Sequence, residues 1–169
     1  MKNFDRKFLY RLLNDERFAI FYEDIASILR YEDPFSRTNK MGHVTASGLV
    51  ICESKALLIF HPNIKKWLQP GGHIDDGELP IEAAIREVYE ETGVVCCPGS
   101  NAGRLIDIDV HEIPANPIKS EGCHLHIDLL FELQLSRQEK APEDIFCRWF
   151  AIDQIENSRI RRVVAKLSP

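Results

Sequence analysis

Between Gly72 and Val94 the chain reads GHIDDGELPIEAAIREVYEETGV, and three of its carboxylates, Glu87, Glu90 and Glu91, fall within five residues. At 3.6 residues per turn these positions are neighbours on one helical face. Like charges so spaced destabilise a helix by roughly 0.2–0.5 kcal/mol per pair. They also crowd the last turns before Gly93, where the helix dipole favours cations. Helix stability alone does not account for this placement. A hard divalent cation held by oxygen ligands does, because it removes the repulsion.

The rest of the segment fits a helix packed on a sheet. Ile81, Ala84, Ile85 and Val88 form an apolar stripe, and the acidic face lies beside it, bordering a cleft. Pro80 suits the first turn, Glu82 suits the positive end, and Gly93 is a natural stop. Leu79 occupies the expected N-cap without an acceptor, with Asp75, Asp76 and Glu78 close by.

From Gly72, five residues lead to Glu78, seven more to Arg86-Glu87-Val88, one to Glu90-Glu91, and one to Gly93-Val94. This pattern resembles the complete Nudix box of the Nudix hydrolases, with Trp67 and Pro70-Gly71-Gly72 before it as is common in that family. The flanking strand pattern extends the resemblance over about residues 42 to 155. It implies an α/β/α sandwich with a mixed sheet. It also implies Mg²⁺, or Mn²⁺ in its place, on Glu87, Glu90, Glu91 and the Gly72 backbone carbonyl. Arg86 would orient a box glutamate and pair with Glu78. The resemblance implies a catalytic base from the box, Glu87 or Glu90, or from an acidic loop before the strand preceding the last helix, where Glu143 is favoured over Glu139 and Asp144 and is otherwise an ordinary surface acid.

Net charge is −5, so no global basic field recruits nucleic acid. With 44% hydrophobic and 28% charged residues the composition is that of a soluble globular domain of residues 1–169, without a signal peptide or membrane span. Five cysteines without zinc spacing suggest reduced, mostly buried thiols and a cytoplasmic location.

Residues 1–40 form a helical extension ahead of a 41–169 core, with Phe4, Phe8, Leu9, Leu12, Leu13, Ile20, Phe21, Ile25, Ile28 and Leu29 at helical spacing. Two helices broken near Asn14-Asp15 are expected, packing on the domain or forming a homodimer contact. Strands are expected over His43–Cys52, Lys55–His61, Arg104–Ile113, Cys123–Leu135 and Cys147–Ile152. Pro114–Gly122 and Ser136–Asp144 are polar connections, and a closing helix runs from about Asp153 to Leu167.

His124, His126 and Asp128 alternate on one strand and share a face. That face either lines the substrate cleft or is the solvent side of a strand whose Leu125, Ile127 and Leu129 point to the core. His73 sits at the cleft mouth, touching phosphate or capping the turn. Arg37 and Lys65-Lys66 are phosphate candidates or solvated surface. The leading function is metal-dependent cleavage of a nucleoside diphosphate linked to another group, an ADP-ribose-like sugar nucleotide or a nucleoside triphosphate. The alternatives are a ligand-sensing domain without turnover, and an isoprenoid diphosphate isomerase, which needs a reactive cysteine where Cys52 stands alone.

Overall fold

The computed structural model describes residues 3–30, 33–98, 103–115 and 122–167, with the backbone alone for 3–6, so the side chain of Phe4 and residues 116–121 of the expected Pro114–Gly122 connection lie outside the described residues. The chain opens with α1 (Asn3–Leu13). The break falls at Asn14-Asp15, where the Asp15 carboxylate accepts the Arg17 N–H and restarts the chain as a 3-10 turn over Glu16–Phe21. Helix α2 follows (Tyr22–Leu29). The second expected helix therefore begins as a tighter turn. Leu9, Leu12, Phe18, Ile25, Ile28 and Leu29 join one buried cluster with Val44, Ala46, Val50 and Val88 of the main body. The extension is part of the core.

β1 (Gly42–Cys52) and β2 (Lys55–His61) form a hairpin whose two turn residues, Glu53 (φ 47°) and Ser54 (φ 58°), are both left-handed. That is the backbone a two-residue hairpin needs to match strand twist, here built without glycine. β3 (Lys66–Leu68) and β4 (Gly71–His73) precede α3 (Pro80–Thr92). Then come β5 (Val94–Cys97), β6 (Leu105–Ile113), β7 (His124–Gln138) and β8 (Cys147–Ala151). A 3-10 turn at Ile152–Gln154 separates β8 from α4 (Ser158–Leu167), so the closing helix starts five residues later than the sequence suggests. Short strands β3, β4 and β5 were not anticipated, and β7 runs three residues past Leu135.

The sheet is mixed. β1 and β7 pair in parallel from Gly42↔Leu125 to Val50↔Leu133. β6 and β5 lie antiparallel on the far edge of β7. β4 lies antiparallel on the other edge of β1, and β2 carries β3 and β8. Period-2 alternation then divides the side chains between two cores. Val44, Ala46, Val50, Ile127, Leu129 and Leu133 face α3 and the N-terminal helices. Leu49, Leu58 and Leu130 face Ile160, Val163 and Val164 of α4. Helices therefore cover both faces of the sheet. All five cysteines are unpaired, as expected, but they are less buried than expected: Cys96 is buried, Cys52 and Cys147 are half-buried, and Cys97 and Cys123 are exposed.

Because Ile25 is 1% exposed within the shared core, Ile25→Ala should cost about 2–5 kcal/mol of stability, read as a lower midpoint in chemical denaturation. An unchanged midpoint would mean that the extension does not stabilise the domain.

Candidate active site

Helix α3 starts on Pro80 with Leu79 as its N-cap. Leucine offers no acceptor, so the first turn is closed from the other side: the Glu82 carboxylate accepts the Leu79 N–H at 2.9 Å. The helix ends on Gly93 at φ 71°. Ala83, Ala84 and Val88 are fully buried, and Ile81 and Ile85 pack at the rim of the same core. Contact with the sheet is close. A Cβ on Gly48 would lie 2.6 Å from Val88, and one on Gly72 would lie 2.6 Å from the Glu87 carboxylate. The Gly71 N–H donates to Glu91 at 2.9 Å.

These contacts bring Glu87, Glu90, Glu91 and Gly72 together. Glu91 is 8% exposed, and burial, joined by the charges of Glu87, Glu143 and Glu90, pushes its carboxyl up to about 8 despite the Gly71 hydrogen bond. Burial likewise raises Glu87, against the opposing pull of Arg86. Arg86 does more than the expected pairing. Its guanidinium donates to Glu78 at 2.9 and 2.8 Å, to Glu87 at 2.7 Å, to Glu90 at 3.0 Å and to the His73 carbonyl at 2.8 Å. The arginine thus offsets part of the acidic repulsion that the sequence assigns to a metal alone. Exposed Glu143 is brought to the same place: its backbone N–H donates to the Glu90 carbonyl at 2.9 Å, and its charge reaches Glu87 and Glu91.

The opposite face of β4 carries different chemistry. Gly71 faces Ser47 and Gly72 faces Glu87, so by alternation His73 points with Gly71, away from the glutamates. There it meets His43 and His126, with ring centroids 5.0 and 5.4 Å away, and His43 and His126 lie 4.5 Å apart. His124 and His111 flank this group, 5.1 and 5.7 Å from His126. Burial, reinforced by the crowding of the other imidazoles and, for His43, by Arg37, depresses His43 to about 4 and His126 to about 3, so both are neutral at pH 7. Arg37 is exposed yet close enough for its charge to act on His43.

Asp128 takes a role other than the expected substrate contact. It is 6% exposed and accepts hydrogen bonds from Thr45 (3.0 Å), Ser47 (2.6 Å) and Arg159 (2.6 Å). Burial opposes its charge, but Arg159 and the two hydroxyls outweigh that and lower its carboxyl. Arg159 also donates to Asp107 at 2.9 Å, tying α4 to the sheet. The face shared by His124, His126 and Asp128 is therefore neither plain cleft lining nor solvent surface, since α4 covers its inner half. Arg159 and Asp107 escaped the sequence reading, although an arginine inside the apolar stripe Ile160, Val163 and Val164 was a usable signal. Lys65 and Lys66 lie elsewhere, lining a groove with Trp67, Phe150 and Asn157.

Removing one member of a buried ion pair leaves the other uncompensated, so Arg159→Met should cost about 3–5 kcal/mol in urea unfolding. A second test uses pH on chelator-treated protein. Glu91 has a folded value near 8 against an ordinary 4.5, so the native state holds a proton that the unfolded chain releases. Its contribution is present at low pH and lost as pH rises toward 8. His43 and His126 have the opposite sign, losing stability only as pH falls below their ordinary 6.5. Lowering pH from 8 to 6.5 should therefore stabilise the protein by roughly 1–2 kcal/mol, a few degrees of Tm, and Glu91→Gln should flatten that slope.

The sequence profile of the NUDIX domain matches residues 41–168. A Lactococcus lactis protein named "Probable DHNTP pyrophosphohydrolase" is 42% identical over 57% of this chain, which spans only 56% of that relative's length. The Escherichia coli K12 protein named "Phosphatase NudJ" is 41% identical over 67% of this chain and 71% of its own. Among solved structures, a NUDIX-family hydrolase from Clostridium perfringens aligns at 28% identity and a TM-score of 0.51, covering 75% of this chain and 98% of its own. The MutT NUDIX hydrolase of Burkholderia pseudomallei aligns with a TM-score of 0.55 at 22% identity, covering 76% and 99%, a likeness of fold. With a matched domain that runs from the start of β1 to the end of α4 and has the acidic edge of α3 at its centre, the chain belongs to the NUDIX family.

Proposed function

We propose that this chain is a metal-dependent hydrolase that cleaves the diphosphate bond of a nucleoside diphosphate linked to another group. Its substrate is an ADP-ribose-like sugar nucleotide or a nucleoside triphosphate, and the Lactococcus relative carries the name of a pyrophosphohydrolase, in keeping with cleavage at a diphosphate bond. One observation carries the reading: Glu87, Glu90 and Glu91 converge beside Gly72, where a Cβ would displace the Glu87 carboxylate. The donor set is all oxygen, which suits Mg²⁺ or Mn²⁺. Burial that raises the carboxyls of Glu87 and Glu91 is also what a bound cation would reverse. Glu87, Glu90, Glu91 and the Gly72 carbonyl would hold the ion, which supplies charge neutralisation on phosphate and activation of water.

The chain's own residues do the positioning. Arg86 holds Glu87 and Glu90 in one orientation through a shared nitrogen. Glu90, at 34% side-chain exposure the more open of the two, and Glu143 across from it are the groups suited to take the proton from attacking water. In-line attack then breaks one P–O anhydride bond and releases two phosphate-bearing products. The N-terminal extension belongs to the same single domain, its helices closing the core beneath β1. No helix among the described residues is long and apolar enough to cross a membrane, and five unpaired cysteines suit a reducing cytoplasm.

Glu91→Gln keeps the shape and an acceptor for the Gly71 N–H but removes the charge. Turnover of nucleoside triphosphates and sugar nucleotides with Mg²⁺ should fall by orders of magnitude while the circular dichroism spectrum stays unchanged. Full activity in that variant would remove the acidic edge from the mechanism.

A further inference from the structure

We propose that His43, His73 and His126 form a second, imidazole-only site for a borderline divalent transition ion of the Zn²⁺ class, on the face of β4 opposite the glutamates. One ring nitrogen from each of the three lies within 4.8 Å of the others, and they come from three adjacent strands, β1, β4 and β7. Three nitrogens that each sit roughly 2.0–2.1 Å from one tetrahedral ion are about 3.3 Å apart, so modest side-chain rotation would bring this trio to a three-histidine centre.

His43 supplies an independent observation. It is 2% exposed, and neither ring nitrogen has a hydrogen-bond partner among the described residues. A neutral imidazole must carry one donor and one acceptor, and leaving both unmet in the interior is strongly unfavourable. Native structures rarely tolerate that unless an ordered water or an ion meets the group. The surroundings match a metal more closely than an anion. An imidazole nitrogen offers a metal its lone pair, and neither nitrogen of His43 is engaged elsewhere among the described residues.

His124 acts as an outer partner. The Gly122 carbonyl can only accept, so the contact at 2.8 Å fixes the proton of His124 on Nδ1. That leaves Nε2 of His124 as an acceptor, 3.3 Å from Nε2 of His126. A neutral His126 donating to it keeps its lone pair on the other nitrogen, the tautomer control that outer groups exert at zinc centres. Softness separates the two sites on β4: carboxylates select Mg²⁺ or Mn²⁺, and imidazoles select Zn²⁺, Co²⁺, Ni²⁺ or Cu²⁺. An ion held by three protein nitrogens keeps a coordination position for an oxygen or nitrogen of a bound small molecule. Because His73 follows Gly72, that position would anchor the part of a substrate that lies beyond its phosphates.

The test uses untagged, chelator-treated full-length protein with Mg²⁺ in excess to fill the glutamates, and Co²⁺ or Zn²⁺ as probe. One equivalent of Co²⁺ should bind with the visible bands of imidazole coordination, equally in wild type and in Glu91→Gln. His126→Asn should weaken it by more than the roughly 10–100-fold that loss of an outer partner costs. In case that variant fails to fold, long-range ¹H–¹⁵N spectra of the wild-type imidazoles give a second readout. Stoichiometric Zn²⁺ should shift His43, His73 and His126 and leave the distant His61 unmoved. Unmoved rings would overturn the proposal, as would Co²⁺ that is displaced by Mg²⁺ or lost in Glu91→Gln. Ring shifts caused by a nucleoside triphosphate but not by Zn²⁺ would also overturn it, assigning the cluster to substrate directly. Neither readout depends on turnover, so failure of the hydrolase reading would not be mistaken for failure of this one.

Discussion

Val88 of α3 meets β1 at Gly48, and Glu87 meets β4 at Gly72; at both places a Cβ would lie 2.6 Å from the facing side chain. A third contact, the Gly71 N–H on Glu91, fixes how far the helix slides along the strand. Because α3 lies so close, its acidic edge is pressed into low-dielectric surroundings. Charge there is expensive unless paired, and the site answers with Arg86. Burial by itself would favour protonated glutamates. Burial beside a guanidinium that is held by Glu78 and the His73 carbonyl keeps Glu87 and Glu90 oriented as well as close.

The same short strand separates two kinds of donor. Carboxylates gather on the α3 side of β4 and imidazoles on the other, with neighbouring residues Gly72 and His73 pointing to opposite faces. Beneath the imidazoles, Asp128 and Asp107 share Arg159, and this ionic layer holds α4 over the inner half of the polar face. Such a layer adds little net stability compared with an apolar one, but breaking it strands a buried charge. Its geometric effect is plain. Strand β7 is fixed between β1 and β6, so His126 and His124 are held at the open end of the sheet.

Much of this is legible in one dimension. Pro80 and Gly93 bracket α3 within a residue, and the spacing of Glu87, Glu90 and Glu91 marks a shared edge before any coordinate is known. The hairpin at Glu53-Ser54 is legible too, because β-rich runs on both sides leave only two residues to turn. Other features were hidden for physical reasons. β4 is three residues long and contains two glycines, so it carries no alternating pattern. β5 follows the helix stop directly and is too short to show a period. His43 reads as one polar residue at the edge of an apolar strand, and only pairing of β1 with β4 and β7 brings His73 and His126 to it.

By itself the sequence determined the local chemistry: which helix carries the charge, where it starts and stops, and that hard oxygen donors crowd one edge. Those properties follow from helical and strand periodicities that act over a few residues. Only the tertiary structure decided which distant groups meet those donors. Arg159 on Asp128 is 31 residues apart in the chain, the Gly71 N–H on Glu91 is 20 apart, and His43 meets His126 through a parallel strand pairing. Contacts of that range depend on strand order and register, which many sequences with the same local pattern could satisfy differently.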